Sequence, residues 1–232
     1  MSSYFALGAT GLCGNFFTNI ALKSSSVSQV FTLTRREVSV SGEPSKLVAT
    51  LEKDTEKWPS IIKSLDIPNH STYYSSFGTT RKAAGSAEAF VKIDEGINVD
   101  AFTAAKESGK FDTAVLVSST GANADSRFLY FATKGRIEDK LKALKFKRTI
   151  ILRPGPLLGE RAQSKGFGES VIRSLGPWVK GTPLAGAFGH PVFAEEVAKV
   201  AFFLSQKPIE KENEVIVVSS SEILKIVDEN KL

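Results

Sequence analysis

The sequence predicts an α/β fold built on a doubly wound parallel sheet, and three observations carry that expectation. Strand-length apolar runs alternate with helix-length segments along most of the 232 residues, the pattern left by successive strand–helix–strand units. Residues 113–118, with Ala-Val-Leu-Val at their centre, form a β-rich run without alternation, as a central parallel strand covered on both faces requires. A glycine-rich turn, Gly8-Ala9-Thr10-Gly11-Leu12-Cys13-Gly14, closes the first of these runs.

Taken in order, residues 4–9 read as a buried strand ending in glycine, and residues 11–22 as a helix. The serines at 24–26 form a loop before a second strand at 29–34. A third strand is expected at 47–51, a helix at 54–65 with Pro59 near its first turn, and a fourth strand at 72–77. A long helix over 89–108 follows, weakened in its middle by Gly96. Beyond the strand at 113–118 come a helix at 128–144 and a strand at 148–152. Residues 193–205 make an amphipathic helix, 214–218 a strand and 221–227 a short helix. Between Pro154 and Pro191 glycine and proline are frequent, and only short helical pieces such as 167–174 are expected. The whole chain, 1–232, is read as one domain in which 154–192 is a small C-terminal lobe covering a substrate, because long irregular connections usually carry function.

A composition of 42% hydrophobic and 24% charged residues excludes a disordered tail, a collagen-like fibre and a coiled coil. The single cysteine, Cys13, excludes an intrachain disulfide and reads as a small packing residue. No run approaches the ~18 apolar residues of a membrane span. The N-terminus shows neither a secretory leader nor an Arg-rich presequence, so a reducing, cytosol-facing setting is expected. His70 and His190 lie far apart, and no metal site is assigned.

The net charge of +5 is unevenly spread: residues 127–180 hold 13 basic and 4 acidic side chains. The run Lys134, Arg136, Lys140, Lys142, Lys145, Lys147, Arg148 reads as a solvated helix face and loop, with Lys134 turned inward. Its surplus would attract an anionic membrane surface. No nucleic-acid partner is expected, since no reader motif or interleaved aromatics accompany the charge. Apolar positions over 91–105 and the Phe202-Phe203-Leu204 cluster read as core or subunit contact, which leaves a homodimer open.

The glycine turn carries the first functional signal. Glycines let the backbone bend sharply and let a pyrophosphate approach the main chain, where helix N–H groups and the helix dipole hold it. Gly8, Thr10, Gly11, Leu12 and Gly14 are therefore candidate nucleotide contacts, although the spacing is G-x-x-G-x-x-G and not the standard G-x-G-x-x-G. The second strand ends Thr34-Arg35-Arg36, with the first acid, Glu37, only after them. A 2′-phosphate takes arginine at this position and a free ribose takes an acid, so Arg35 and Arg36 favour NADP(H).

Tyr130 and Lys134 lie four residues apart, on one face of the expected helix. A tyrosine is a poor acid–base group at neutral pH unless a neighbouring ammonium stabilises its phenolate. The preceding strand ends Ser118-Ser119-Thr120-Gly121, putting hydroxyls where doubly wound sheets bind ligands.

Together, the glycine turn, the serines before a helix and Tyr-x-x-x-Lys resemble the short-chain dehydrogenase/reductase superfamily over nearly the whole chain. Phe77-Gly78-Thr79-Thr80-Arg81, Leu116–Ala122, Phe128-Leu129-Tyr130, Lys134-Gly135 and Arg153-Pro154-Gly155 are similar to the Tat-interacting-protein branch of its atypical members. The likeness is strongest to fungal relatives of the mitochondrial proteome placed peripherally on the outer membrane. The resemblance implies a Rossmann-type fold, NADP(H) as cofactor, and a carbonyl or alcohol substrate. It implies Tyr130 as proton donor or acceptor, Ser119 as the hydroxyl orienting the substrate, and Lys134 on the nicotinamide ribose. Gly78, Thr79 and Pro154 join the cofactor contacts by the same resemblance. Ser118 and Thr120 remain alternatives for the hydroxyl, and the asparagine of the family's proton relay has only Asn98 as a loose candidate. An NADP(H)-sensing regulatory or interaction protein with little catalysis is the alternative function.

Overall fold

Strands that are apolar on both sides can only be buried between two helical layers, and that is the arrangement found. The computed structural model describes residues 1–158 and 190–232. Strand β1 (Ser2–Leu7) leads through the glycine turn into α1 (Leu12–Lys23), followed by β2 (Val27–Thr34), β3 (Leu47–Leu51), α2 (Trp58–Ser64) and β4 (Ser71–Ser75). Two short helices, α3 (Arg81–Ala84) and α4 (Ala87–Val91), precede α5 (Ile97–Ser108) and β5 (Phe111–Val117). The chain continues with α6 (Leu129–Ala143), β6 (Arg148–Arg153) and β7 (Leu157–Leu158). After the undescribed residues come β8 (Val192–Phe193), α7 (Ala194–Ser205), β9 (Glu214–Ser219) and α8 (Ser220–Asn230).

Seven strands form one sheet in the order β3-β2-β1-β4-β5-β6-β9, every pair parallel. The chain runs outward from β1 to β3, then crosses back to β4 on the other side of β1. That reversal opens a crevice at the carboxyl ends of β1 and β4, where doubly wound sheets take their ligands. Successive residues of β1 feed opposite layers: Tyr4 and Ala6 pack with Phe17, Val197 and Ala201, whereas Phe5 and Leu7 pack with Trp58, Phe102 and Ile137. This alternation makes the strand read as continuously apolar.

Among the described residues the expected elements are present with shifted ends, and two differ in kind. The helix expected over 54–65 begins as a 3₁₀ turn, Thr55–Lys57, and becomes α-helical only at Trp58. The long helix over 89–108 contains a π turn, Lys92–Gly96, between α4 and α5. Helix α3 has no counterpart in the expectation. The helical piece at 167–174 and most of the 154–192 lobe lie outside the described residues.

Only part of the basic run forms the solvated face expected of it: Lys140 and Lys145 are exposed, and other members are buried or paired. Arg148, at 2% exposure, is the clearest correction. It begins β6 against the outermost strand β9, its Nε 2.6 Å from Glu214 Oε2. Its other nitrogens donate to the carbonyls of Leu204 (3.3 Å), Lys207 (2.6 Å) and Pro208. The Leu204 carbonyl lies in the last turn of α7 and the other two just beyond it, where a cation also meets the negative pole of the helix. Arg136 and Lys140 bond to Glu95, Lys142 lies beside Asp139, and Lys147 bonds to Asp112. Replacing Arg148 by Met should destabilise the chain by about 3 kcal/mol, because Glu214 and the helix-end carbonyls lose their partner. Urea denaturation measures this, and a loss within error of zero would show that the cage is dispensable.

Candidate functional site

The glycine turn is held by close backbone contact. Gly8 has φ of +85°, and a Cβ there would lie 2.7 Å from Phe77 N; a Cβ at Gly14 would lie 2.1 Å from Gly8 O. The Gly11 N–H donates to Gly8 O at 2.8 Å. Gly11 caps α1 without a side-chain acceptor, and the first turn holds no acid. A cradle that side chains would fill, facing an uncapped helix N-terminus, fits the pyrophosphate of a dinucleotide. Cys13 is buried in the core beside it, in keeping with a packing role.

A cleft of about 480 Å³ opens beside this turn, lined by Gly8, Thr10, Thr34, Arg35, Arg36 and Lys53 over Leu33, Trp58 and Phe77. Arg36 Nη2 donates to Thr10 O at 3.4 Å, and the Arg35 guanidinium lies 6.0 Å from the Phe77 ring centre. Sequence reasoning missed Lys53. Its signal lies in the register: Thr34 pairs with Leu51, so residue 53 leaves β3 alongside residue 36 leaving β2. Three cations thus surround the far end of the cleft.

Past the end of β5, α6 carries Tyr130 in its first turn at 43% exposure and Lys134 inward at 7%. Lys134 Nζ lies 5.9 Å from the Tyr130 ring centre and 2.7 Å from Asp94 Oδ2. Gly135 lets the helix sit this deep, since a Cβ there would lie 2.1 Å from Ala124 N. Of the three strand-end hydroxyls, Ser118 is buried and donates to Glu138 Oε1 at 2.6 Å. Thr120 donates to Arg153 O at 2.9 Å. Ser119 is half-buried, and its bond to Thr120 O is long at 3.2 Å, so its hydroxyl has the least to give up in meeting a substrate. Pro154 is buried and accepts from Thr120 N at 2.8 Å, bracing the strand end. Gly78 and Thr79 lie against Asp94. Asn98 is buried and donates to Phe77 O at 3.0 Å.

No protein-family model matches the chain. Over 228 residues it is 47% identical to "Protein FMP52, mitochondrial" of Candida albicans, covering 97% of this chain and 98% of that one. The protein of the same name in Saccharomyces cerevisiae is 43% identical over 222 residues, covering 95% and 94%. The chain belongs to the FMP52 family. Among solved structures, a short chain dehydrogenase family protein from Francisella tularensis superposes with a TM-score of 0.65 at 14% identity, covering 97% of this chain and 99% of that one. Serine dehydrogenase from Escherichia coli gives 0.62 at 14% identity, covering 93% and 96%. The fold of this FMP52-family chain is that of the short-chain dehydrogenases, as its motifs imply.

Besides Asp94, two further buried acids around the site went unread in the sequence. Glu138, one turn beyond Lys134, accepts both Ser118 and a two-nitrogen fork from Arg153, and that bonding pushes the Arg153 guanidinium further up. Glu95 is held below the ordinary glutamate range: burial raises it, but hydrogen bonds and charge from Arg136 and Lys140 outweigh burial. A depressed carboxylate stabilises the fold above its unfolded pKa, about 4.3, and the benefit is lost as pH falls through the lower folded value. Glu95→Gln should therefore be about 2 kcal/mol less stable at pH 7 and should lose less on acidification from pH 5 to 3 than the wild type. Melting curves across that range check this; parallel curves would remove Glu95 from the acid sensitivity.

Proposed function

We propose that the chain is an NADP(H)-dependent oxidoreductase that reduces a carbonyl or oxidises an alcohol. The observation that carries the reading is Tyr130, exposed near the start of α6, with the Lys134 ammonium 5.9 Å from its ring centre. The dehydrogenase and epimerase neighbours support it by fold, and the chain of WbmF from Bordetella bronchiseptica, at 13% identity and a TM-score of 0.65, was solved with NAD+.

When bound, the nicotinamide supplies or accepts the hydride. The chain's residues do the rest. The turn at Gly8, Gly11 and Gly14, with Thr10 and Leu12, holds the pyrophosphate, and Arg35 and Arg36 take the 2′-phosphate in charge-assisted bonds. Gly78, Thr79 and Pro154 border the cofactor. Lys134 holds the nicotinamide ribose and places a positive charge beside the phenol. Ser119 orients the substrate oxygen, and the Tyr130 hydroxyl gives it a proton in reduction and takes one in oxidation. We also place the chain at the mitochondrion, following the mitochondrial names of its relatives, and propose a peripheral position on the cytosolic side of the outer membrane, which the sequence resemblance implies. No helix among the described residues is long and apolar enough to cross a membrane; carbonate extraction of mitochondria should release the chain, and retention would overturn the placement.

With a panel of aldehydes, ketones and quinones, Tyr130→Phe should abolish NADPH consumption while leaving NADPH affinity within about twofold, since the hydroxyl acts on the proton and not on cofactor binding. Retained turnover would sink the mechanism. In the same titrations, replacing Arg35 and Arg36 by Ala should weaken NADPH by about 10- to 100-fold and leave NADH unchanged. Equal or tighter NADH binding by the wild type would overturn the cofactor preference.

A further inference from the structure

We infer that Asp94 is a positioning residue that fixes Lys134 for the cofactor and ties it to the segment following β4. The inference rests on the NADP(H) reading above and goes beyond it. Asp94 is completely buried, a placement that a carboxylate tolerates only when paired and hydrogen-bonded. Each of its oxygens has a separate task. Oδ1 accepts the Thr79 N–H at 2.7 Å, and Oδ2 lies 2.7 Å from Lys134 Nζ. Its backbone carbonyl accepts from Asn98 Nδ2 at 2.7 Å, and the same amide donates to Phe77 O. One aspartate therefore joins the backbone at 77–79, which borders the glycine turn, to the ammonium one helical turn from Tyr130.

Two further features of the chain are needed for this contact. A Cβ at Gly78 would lie 2.7 Å from Asp94 Oδ1, so only glycine leaves room for the carboxylate. The π turn Lys92–Gly96 widens the helix where Asp94 and Glu95 occur. Neighbours on a regular helix point about 100° apart; here both acids are buried and both meet cations of α6. π turns often mark functional positions. The ion pair at 2.7 Å keeps the ammonium beside Asp94 Oδ2 and so fixes where Lys134 Nζ sits, although Oδ2 accepts no well-directed hydrogen bond.

The test compares the wild type, Asp94→Asn, Lys134→Met and the double variant. Each is titrated with NADPH and with 2′,5′-ADP, which carries the 2′-phosphate but lacks the nicotinamide ribose. Asp94→Asn and Lys134→Met should each weaken NADPH about tenfold, the double variant should lose no more than Lys134→Met alone, and 2′,5′-ADP should bind all four equally. Unchanged NADPH affinity in Asp94→Asn, additive losses, or an equal loss of both ligands overturns the positioning role and leaves the cofactor reading intact. A wild type that binds neither ligand overturns both. Should Asp94→Asn fail to fold, Lys134→Met and the double variant decide: equal NADPH affinities are expected, and a further loss in the double variant overturns the inference.

Discussion

A lysine can be carried into a protein interior only where a carboxylate meets it, and the architecture around the site follows from meeting that demand at Lys134. Helix α6 must lie deep against residues 123–124, which Gly135 permits. An acid must then reach it from a helix packed against the sheet, and the π turn brings Asp94 there with Glu95 beside it. Gly78 must lack a side chain for the carboxylate to fit. None of these features is explained by core packing alone. Burying an unpaired ammonium costs several kcal/mol, so the pair is a condition of the fold as well as of the site.

The glycine turn imposes a second, steric condition at the same place. Gly14 and Gly8 bring α1 and the end of β1 together, and Gly8 presses against Phe77. Phe77 lies next to the residues that Asp94 and Asn98 hold. The glycine turn and the Asp94 contact therefore both meet one short segment, 75–79, at the point where the strand order reverses. The candidate dinucleotide turn and the tyrosine–lysine pair are neighbours here because both are built against the end of β4.

How much of this was legible depended on whether a residue's role is local in sequence. The parallel sheet was legible because strands covered on both faces carry β-rich runs without alternation, as in residues 113–118. The glycine turn and the Tyr130–Lys134 spacing were legible because each acts within one turn or one helix. Asp94, Glu95 and Glu138 were not, since an acid on an amphipathic helix looks the same whether it faces water or a cation from another helix. The π turn was visible only as a helix weakened at Gly96. Lys53 reaches the cleft through the register of β2 with β3, which pairs residues 17 apart. The different surroundings of Ser118, Ser119 and Thr120 depend on the partners Glu138 and Arg153, which lie beyond the strand.

The same reasoning changes the meaning of the basic segment. Charge counted along a window of sequence predicts a surface field only if the side chains face solvent and their counter-charges lie within the window. Here Lys134, Arg136, Lys140, Lys147 and Arg148 take partners at Asp94, Glu95, Asp112 and Glu214, all outside residues 127–180. These acids belong to the part of the chain that carries the compensating negative balance, and the fold brings the two together. At short range such pairs cancel most of the field that would extend beyond a Debye length of about 8 Å. Among the described residues, these pairs form an ionic framework that binds α6 and β6 to their neighbours.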